Sequence, residues 1–248
     1  VVEETREALQ EVIARGALYK LLSLAFSPPD PPILAFLKDG FVGRLKEALT
    51  VLPPASWQDL TGLGEAVAGL EALEGEYNRL FRTGLAATPY ETEYDPIPAL
   101  RKGQTLADLL GFYQAFGLKT SERVKELPDH VAVELEFMGL LLLKEAYALQ
   151  EGWRGEAGIC RDAERAFLED HLGRWIFSFC EQVGEVTQAP FYRACAGFLK
   201  GFLGEELQRF GLDPLLGKRA AGPPAEDFTC PFARACGAGG NDGAMGES

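Results

Sequence analysis

Two histidines, five cysteines and a surplus of carboxylates are the groups with which this chain could do chemistry. Acid/base work near neutral pH would fall to His130 and His171 alone. Di-iron bundles place Glu three residues before such a His, but Leu127 and Leu168 stand there. The segment Gly211 to Lys218, GLDPLLGK, has five residues between its glycines, Arg219 where a phosphate loop needs Ser or Thr, and no strand before it. Nucleotide binding is not expected there. Cys230 and Cys236, in CPFARAC, could offer two thiolates to a metal or form a reversible disulfide. Two ligands do not close a tetrahedral site, so plain thiols are the simpler reading and neither cofactor nor metal is expected. Cys160, Cys180 and Cys195 fall within amphipathic segments and read as small core residues.

Lys and Arg total 24 against 37 for Asp and Glu, a net charge of −13, which repels phosphate backbones and anionic lipid. Nucleic acid is excluded as a natural partner, and a basic peptide fits better. Solubility alone would also account for the acidity. No run approaches the roughly 18 apolar residues of a membrane span, and Val1-Val2-Glu3-Glu4 lacks a secretory profile, so a cytoplasmic location without membrane insertion is expected. An odd number of cysteines without an export signal argues against structural disulfides.

Helical spacing dominates the elements that must position these groups, and alternating β-branched runs are absent, which predicts an all-α class. Leu9, Val12, Ile13, Ala17, Leu21 and Leu24 form a stripe that ends at the prolines of 28–32. Short helices are expected around 33–38 and 41–50. One long helix is expected from Ser56 to Phe81, burying Leu63, Val67, Leu70, Leu73, Tyr77, Leu80 and Phe81. Residues 82–98 read as a long loop of the kind that carries function. A helix over 103–116 ends at Gly117, and Pro128-Asp129 opens the most apolar helix, which belongs mid-bundle. Amphipathic segments follow at 160–171, 172–186 and 190–210. A helical domain over 1–216, a bundle of about eight to ten helices, therefore precedes a Gly/Pro-rich tail over 217–248.

Four segments stand out: Glu76-Tyr77-Asn78-Arg79-Leu80-Phe81; Pro89-Tyr90-Glu91 with Tyr94; Leu127-Pro128-Asp129-His130 running into Glu134-Leu135-Glu136-Phe137-Met138; and Phe167-Leu168-Glu169-Asp170-His171-Leu172 with Trp175. In order and spacing they resemble the redox enzyme maturation proteins, the family of molybdoenzyme chaperones that includes those of trimethylamine-oxide, dimethyl-sulfoxide and nitrate reductases. The resemblance spans about residues 9–210. It implies a helical, non-catalytic chaperone that binds the leader, often twin-arginine, and the apo form of a molybdopterin oxidoreductase catalytic subunit until its cofactor is inserted. It points to Pro128, Asp129 and His130 as peptide-binding residues, with Tyr90, Glu91 and Tyr94 beside them.

A guanidinium-bearing leader needs carboxylates next to an apolar groove. Glu91, Glu93, Asp95 and Asp129 are candidates for the first, and Tyr90, Tyr94 and Phe112 for the second. Asp129, following Pro128, is equally placed to cap a helix, and His130 to pair with Glu134. Tyr77, Leu80 and Phe81 read as core, and His171 and Trp175 as structural. Two other readings stay open: a helical factor that docks a client's folded body without its leader, and a thiol or metal protein built on the tail cysteines. Monomer and swapped homodimer are both compatible with the sequence.

Overall fold

Periodicity becomes helix almost everywhere in the computed structural model, which describes residues 2–53, 55–58, 60–95, 98–118 and 126–213. The expected boundary near residue 216, the tail, Cys230 and Cys236 lie outside the described residues. The elements are α1 (Val2–Ala25), α2 (Pro31–Asp39), α3 (Phe41–Leu49), α4 (Thr61–Ala66), α5 (Leu73–Tyr77), α6 (Pro98–Ala115), α7 (Val131–Gln150), α8 (Arg154–Phe167), α9 (Gly173–Val186) and α10 (Pro190–Arg209). No β-strand occurs among the described residues; an isolated antiparallel bridge pairs Tyr90 with His130.

The most apolar helix, α7, lies inside the bundle, with α1 on one side and α8 on the other. Helices α1 and α7 run antiparallel and nearly touch. A Cβ at Gly16 would sit 3.2 Å from the Leu142 Cβ, and one at Gly139 3.4 Å from the Gly16 carbonyl oxygen. Aromatic rings fill the rest of the core. Phe26 lies 5.4 Å from Phe179, Phe81 5.4 Å from Tyr192, and Phe137 4.8 Å from Phe167. Tyr77, Leu80 and Phe81 are buried, as are Cys160, Cys180 and Cys195.

The single helix expected over 56–81 is instead broken into a 3-10 turn (Ser56–Gln58), α4, a second 3-10 stretch (Val67–Ala72), α5 and a π turn (Asn78–Arg82). Gly62, Gly64, Gly69 and Gly75 fall within this span, and each glycine weakens a helix by about 1 kcal/mol relative to alanine. Gly69 leaves helical geometry altogether, at φ −118° and ψ 44°. The apolar stripe nevertheless faces inward: Leu63, Leu70 and Leu73 are buried and Val67 is half-buried. The loop is shorter than expected, because Glu91–Tyr94 forms a 3-10 turn and Pro98 begins α6.

Glu76 explains why a carboxylate precedes the Tyr77 to Phe81 anchor. Its Oε1 accepts hydrogen bonds from the Gln188 N–H at 2.7 Å and the Thr187 hydroxyl at 2.9 Å, and its Oε2 accepts from Arg79 Nε at 2.7 Å. The carboxylate thereby pins the connector between α9 and α10. Arg79 holds its pKa down at about 2, outweighing burial, with the Gln188 and Thr187 bonds adding to the fall. Stability from this group is full above the ordinary carboxylate pKa of 4.5 and is lost as pH falls toward 2. Glu76→Gln should therefore cost about 2 kcal/mol at pH 7, the range for hydrogen bonds to a charged group. The deficit should shrink on acidification. Thermal unfolding of both proteins at pH 7 and pH 3 tests this, and an equal deficit at both would remove the charge from the explanation.

Candidate functional site

The loop after Phe81 and the turn before α7 are joined by backbone hydrogen bonds. The Glu91 N–H donates to the Asp129 carbonyl at 2.9 Å, and the Val131 N–H to the Pro89 carbonyl at 2.8 Å. These bonds make the Tyr90–His130 bridge, with the two rings 5.3 Å apart and edge-on. Glu126 stands beside the junction, accepting from the Tyr90 hydroxyl at 3.2 Å and from Arg82 at 3.1 Å. The six residues indicated by the sequence are thus gathered at this corner. Asp129, His130 and Glu91 are buried, whereas Tyr90, Tyr94 and Pro128 keep partial exposure.

Two local expectations are corrected. The cap of α7 is His130, not Asp129: the His130 Nδ1 accepts from the Ala132 N–H at 3.1 Å. Helix α7 begins only at Val131, so Asp129 lies one residue too early to cap it. Burial depresses the imidazole to about 4, with Arg82 adding to the fall and Glu126 opposing it, so the ring stays neutral and able to accept at physiological pH. The His130 ring does not pair with the Glu134 carboxyl, whose Oε2 instead accepts from Trp175 Nε1 at 3.1 Å.

Asp129 points inward. Its Oδ2 accepts from the Thr92 hydroxyl at 2.7 Å and from the Thr92 N–H at 3.3 Å. Its Oδ1 is buried with no hydrogen-bond partner among the described residues. Such an orphaned oxygen in a fully buried carboxylate costs free energy until something supplies a donor.

Beneath the corner sits a group that sequence reasoning divided among separate motifs. His171 Nδ1 lies 3.2 Å from both carboxylate oxygens of Glu91, and donates to them in the tautomer protonated there. Burial, and then the neighbouring Glu91, push the Glu134 carboxyl well above the ordinary carboxylate range. Glu134 Oε1 is itself buried without a hydrogen-bond partner among the described residues, as expected of a carboxyl that keeps its proton. Phe112 packs edge-on against His171 at 5.4 Å, and Tyr94 lies 5.2 Å from Trp175. The Tyr113 hydroxyl donates to the Pro128 carbonyl at 2.7 Å. His171 and Trp175 are buried structural residues, as expected, but they support this corner directly.

Glu126, Arg82, Thr92 and Tyr113 were missed. Spacing alone gives them no signal, since each reaches the corner from a different element. The expected row of loop carboxylates dissolves: Glu91 is buried against His171, and Glu93 pairs with Lys102 at 3.0 Å. No group of three or more potential metal ligands occurs among the described residues.

A family model, nitrate reductase delta subunit, matches residues 42–181, more than half of the chain and the whole of this corner. The chain belongs to this family of redox enzyme maturation proteins. Its relatives include the chlorate reductase assembly chaperone of Ideonella dechloratans, 34% identical over 140 residues that cover 55% of this chain and 70% of the relative. The selenate reductase assembly chaperone of Thauera selenatis is 34% identical over 165 residues, covering 63% and 84% respectively. The perchlorate reductase assembly chaperone of Dechloromonas aromatica is 26% identical over 213 residues, covering 83% and 94%. The family match takes in the Glu76 to Phe81 anchor, the Tyr90 loop, the Pro128 to His130 turn and His171.

Proposed function

We propose that this protein is a cytoplasmic, non-catalytic chaperone that binds the leader and apo form of a molybdopterin oxidoreductase catalytic subunit at the corner formed by Tyr90, Glu91, Tyr94, Pro128, Asp129 and His130. Membership of the maturation family and relatives named as assembly chaperones of chlorate, selenate and perchlorate reductases support a reductase as client. No helix among the described residues is long and apolar enough to cross a membrane, in keeping with work on a client before its export. The helical domain ends near residue 216 in this proposal, with the tail following it.

The buried, unpartnered Oδ1 of Asp129 is the observation that carries the leader reading. A leader arginine is rich in donors and would satisfy this oxygen once the Tyr90 loop or the Pro128 turn gives way. In Asp129→Asn the amide oxygen can still accept from Thr92, while the amide N–H groups oppose a guanidinium. Folding should change little, and affinity for the client's leader should fall by about 1.5–3 kcal/mol, roughly tenfold to a hundredfold. Calorimetric titration with the leader peptide tests this, and unchanged affinity in a folded variant would take Asp129 out of the site.

Burial of both Glu91 and Asp129 favours a second reading, in which the corner is structural and the client's folded body is docked without its leader. On that reading the isolated leader binds weakly or not at all, while the apo catalytic subunit still co-purifies with the chaperone.

A further inference from the structure

Arg82 closes the π turn Asn78–Arg82, where the Thr83 N–H donates to the Asn78 carbonyl at 2.8 Å and fixes the backbone. Its side chain leaves that turn and crosses to the other half of the corner. The guanidinium carbon lies 5.5 Å from the centroid of the Tyr77 ring, while Nη2 donates to Glu126 Oε1 at 3.1 Å. The Tyr90 hydroxyl donates to the other oxygen, Oε2, at 3.2 Å. A carboxylate beside an aromatic face makes a seat for a planar guanidinium. Burial, and then Glu126, push the Tyr90 hydroxyl up to about 12, so it stays a donor to this carboxylate. His130, edge-on to Tyr90, is neutral at physiological pH and brings no rival cation.

The two partners are unequally held. The Glu126 side chain is 15% exposed and the Arg82 side chain 49%, so the carboxylate is set into the corner and the cation reaches it from solvent. Half-exposed pairs of this kind contribute little to stability, and their members part readily. Because the π turn holds the Arg82 backbone, vacating the seat takes only rotation of a side chain. That rotation uncovers a face of Tyr77, which is otherwise buried. Apolar surface flanks the seat in sequence: Leu127 directly follows Glu126 and is 44% exposed, and Leu85 stands three residues past Arg82 and is 56% exposed. Asp129, with its unpartnered Oδ1, lies three residues beyond Glu126.

We propose that Glu126 is the entry site for a leader arginine, and that Arg82 holds this site in the free chain as an internal stand-in, so that leader binding begins by exchanging one guanidinium for another. The inference rests on the leader reading above and adds to it a binding residue and a built-in competitor. Arginine suits the seat better than lysine, because its planar group covers a ring and reaches a carboxylate at once, as Arg82 does. The net charge of −13 draws a basic segment in. Arg82 is tethered beside Glu126, however, and competes at an effective concentration that an isolated basic side chain does not match. A segment that also buries apolar residues against Leu85 and Leu127 has the additional contacts to displace it. The stand-in thereby screens out basic residues that lack an apolar neighbour.

Calorimetric titration of the full-length chain with a synthetic peptide, two adjacent arginines ahead of an apolar stretch, gives the test. Arg82→Gln should bind it about threefold to fivefold more tightly, the worth of a half-exposed pair. Glu126→Gln, whose amide oxygen still accepts from Tyr90, should bind it about tenfold more weakly. In Arg82→Gln/Glu126→Gln the gain from losing Arg82 should vanish, because the seat itself is gone. A gain that persists in the double variant would mean that Arg82 merely repels the peptide from a distance, and would overturn the proposal. Arg82→Gln binding no more tightly than the wild type would overturn it equally. If neither the wild type nor any variant binds the peptide, the leader reading fails and this one with it. A wild type that binds, weakens in Asp129→Asn and is indifferent to changes at Arg82 and Glu126 would remove this proposal alone.

Discussion

Arg15→Met is expected to destabilise the fold by about 3–5 kcal/mol, the range for stripping a buried ion pair of one partner. Arg15 lies inside the bundle, only 4% exposed. Its Nε and Nη2 each donate to Glu206 at 2.8 Å, and Nη2 also donates to Glu164 at 3.1 Å. One guanidinium thus ties α1 to α8 and α10. Burial alone would depress the Arg15 pKa, but Glu206 and then Glu164 more than reverse that, so the group is charged at every relevant pH. Methionine fills much of the same volume, which leaves loss of the cation as the main change. Among the described residues, Glu206 is then left with the partly exposed Arg209, at 3.5 Å, to offset its charge. Urea unfolding gives the measurement. Arg15→Met/Glu206→Gln should regain part of the loss, since it removes the stranded Glu206 charge. A loss under about 1 kcal/mol in the single variant would show that water reaches this site on demand.

Glu164→Gln should reverse sign with pH, and its effect at pH 8 should be of similar size. Burial pushes the Glu164 carboxyl up to about 8 despite the pull of Arg15, and Glu145 adds to the rise. Glu145 Oε2 and Glu164 Oε1 are both buried without a hydrogen-bond partner among the described residues. A proton held by Glu164 and donated to Glu145 accounts for both. Below pH 4.5 the carboxyl is protonated in the folded and the unfolded chain alike. Between that value and about 8 only the unfolded chain releases the proton, so each pH unit favours unfolding by about 1.4 kcal/mol. The accumulated penalty amounts to roughly several kcal/mol by pH 8. Glutamine mimics the protonated acid: its amide donates to Glu145 and its oxygen accepts from Arg15. The variant should match or fall slightly below the wild type at pH 5 and exceed it by several kcal/mol at pH 8. Parallel stability curves for the two proteins across this window would show that Glu164 ionises normally.

Helical class, the inward stripes and the family framework were legible in the chain because each depends on local spacing. An apolar residue every three or four positions specifies a buried helix face whatever it packs against, and the anchors Tyr77, Leu80 and Phe81 are buried accordingly. The glycines that break the segment from Ser56 to Phe81 are equally visible in the sequence, and in the fold they outweigh its stripe. Both ring-and-leucine motifs, Asn78–Arg82 and Leu168–Leu172, adopt π turns. Nothing in their spacing distinguishes them from ordinary helix. A π turn is chosen when surrounding contacts repay its poorer local geometry, as packing does around His171 and Phe81.

The sequence by itself therefore determined that this protein is a helical bundle of the maturation family, and which short segments carry the resemblance to it. Only tertiary structure decided what those segments do to one another. Asp129 turned from a helix cap into a buried acceptor for Thr92, and Glu91 from a surface carboxylate into the partner of His171. Glu134 and Glu136, two residues apart on α7, parted into a buried acid beside Trp175 and an exposed partner for Lys20. The physical reason is the same in each case. Whether a carboxylate is solvated, paired or protonated depends on which distant helix supplies its neighbours, and for these residues the neighbours lie 37 to 116 positions away in the chain.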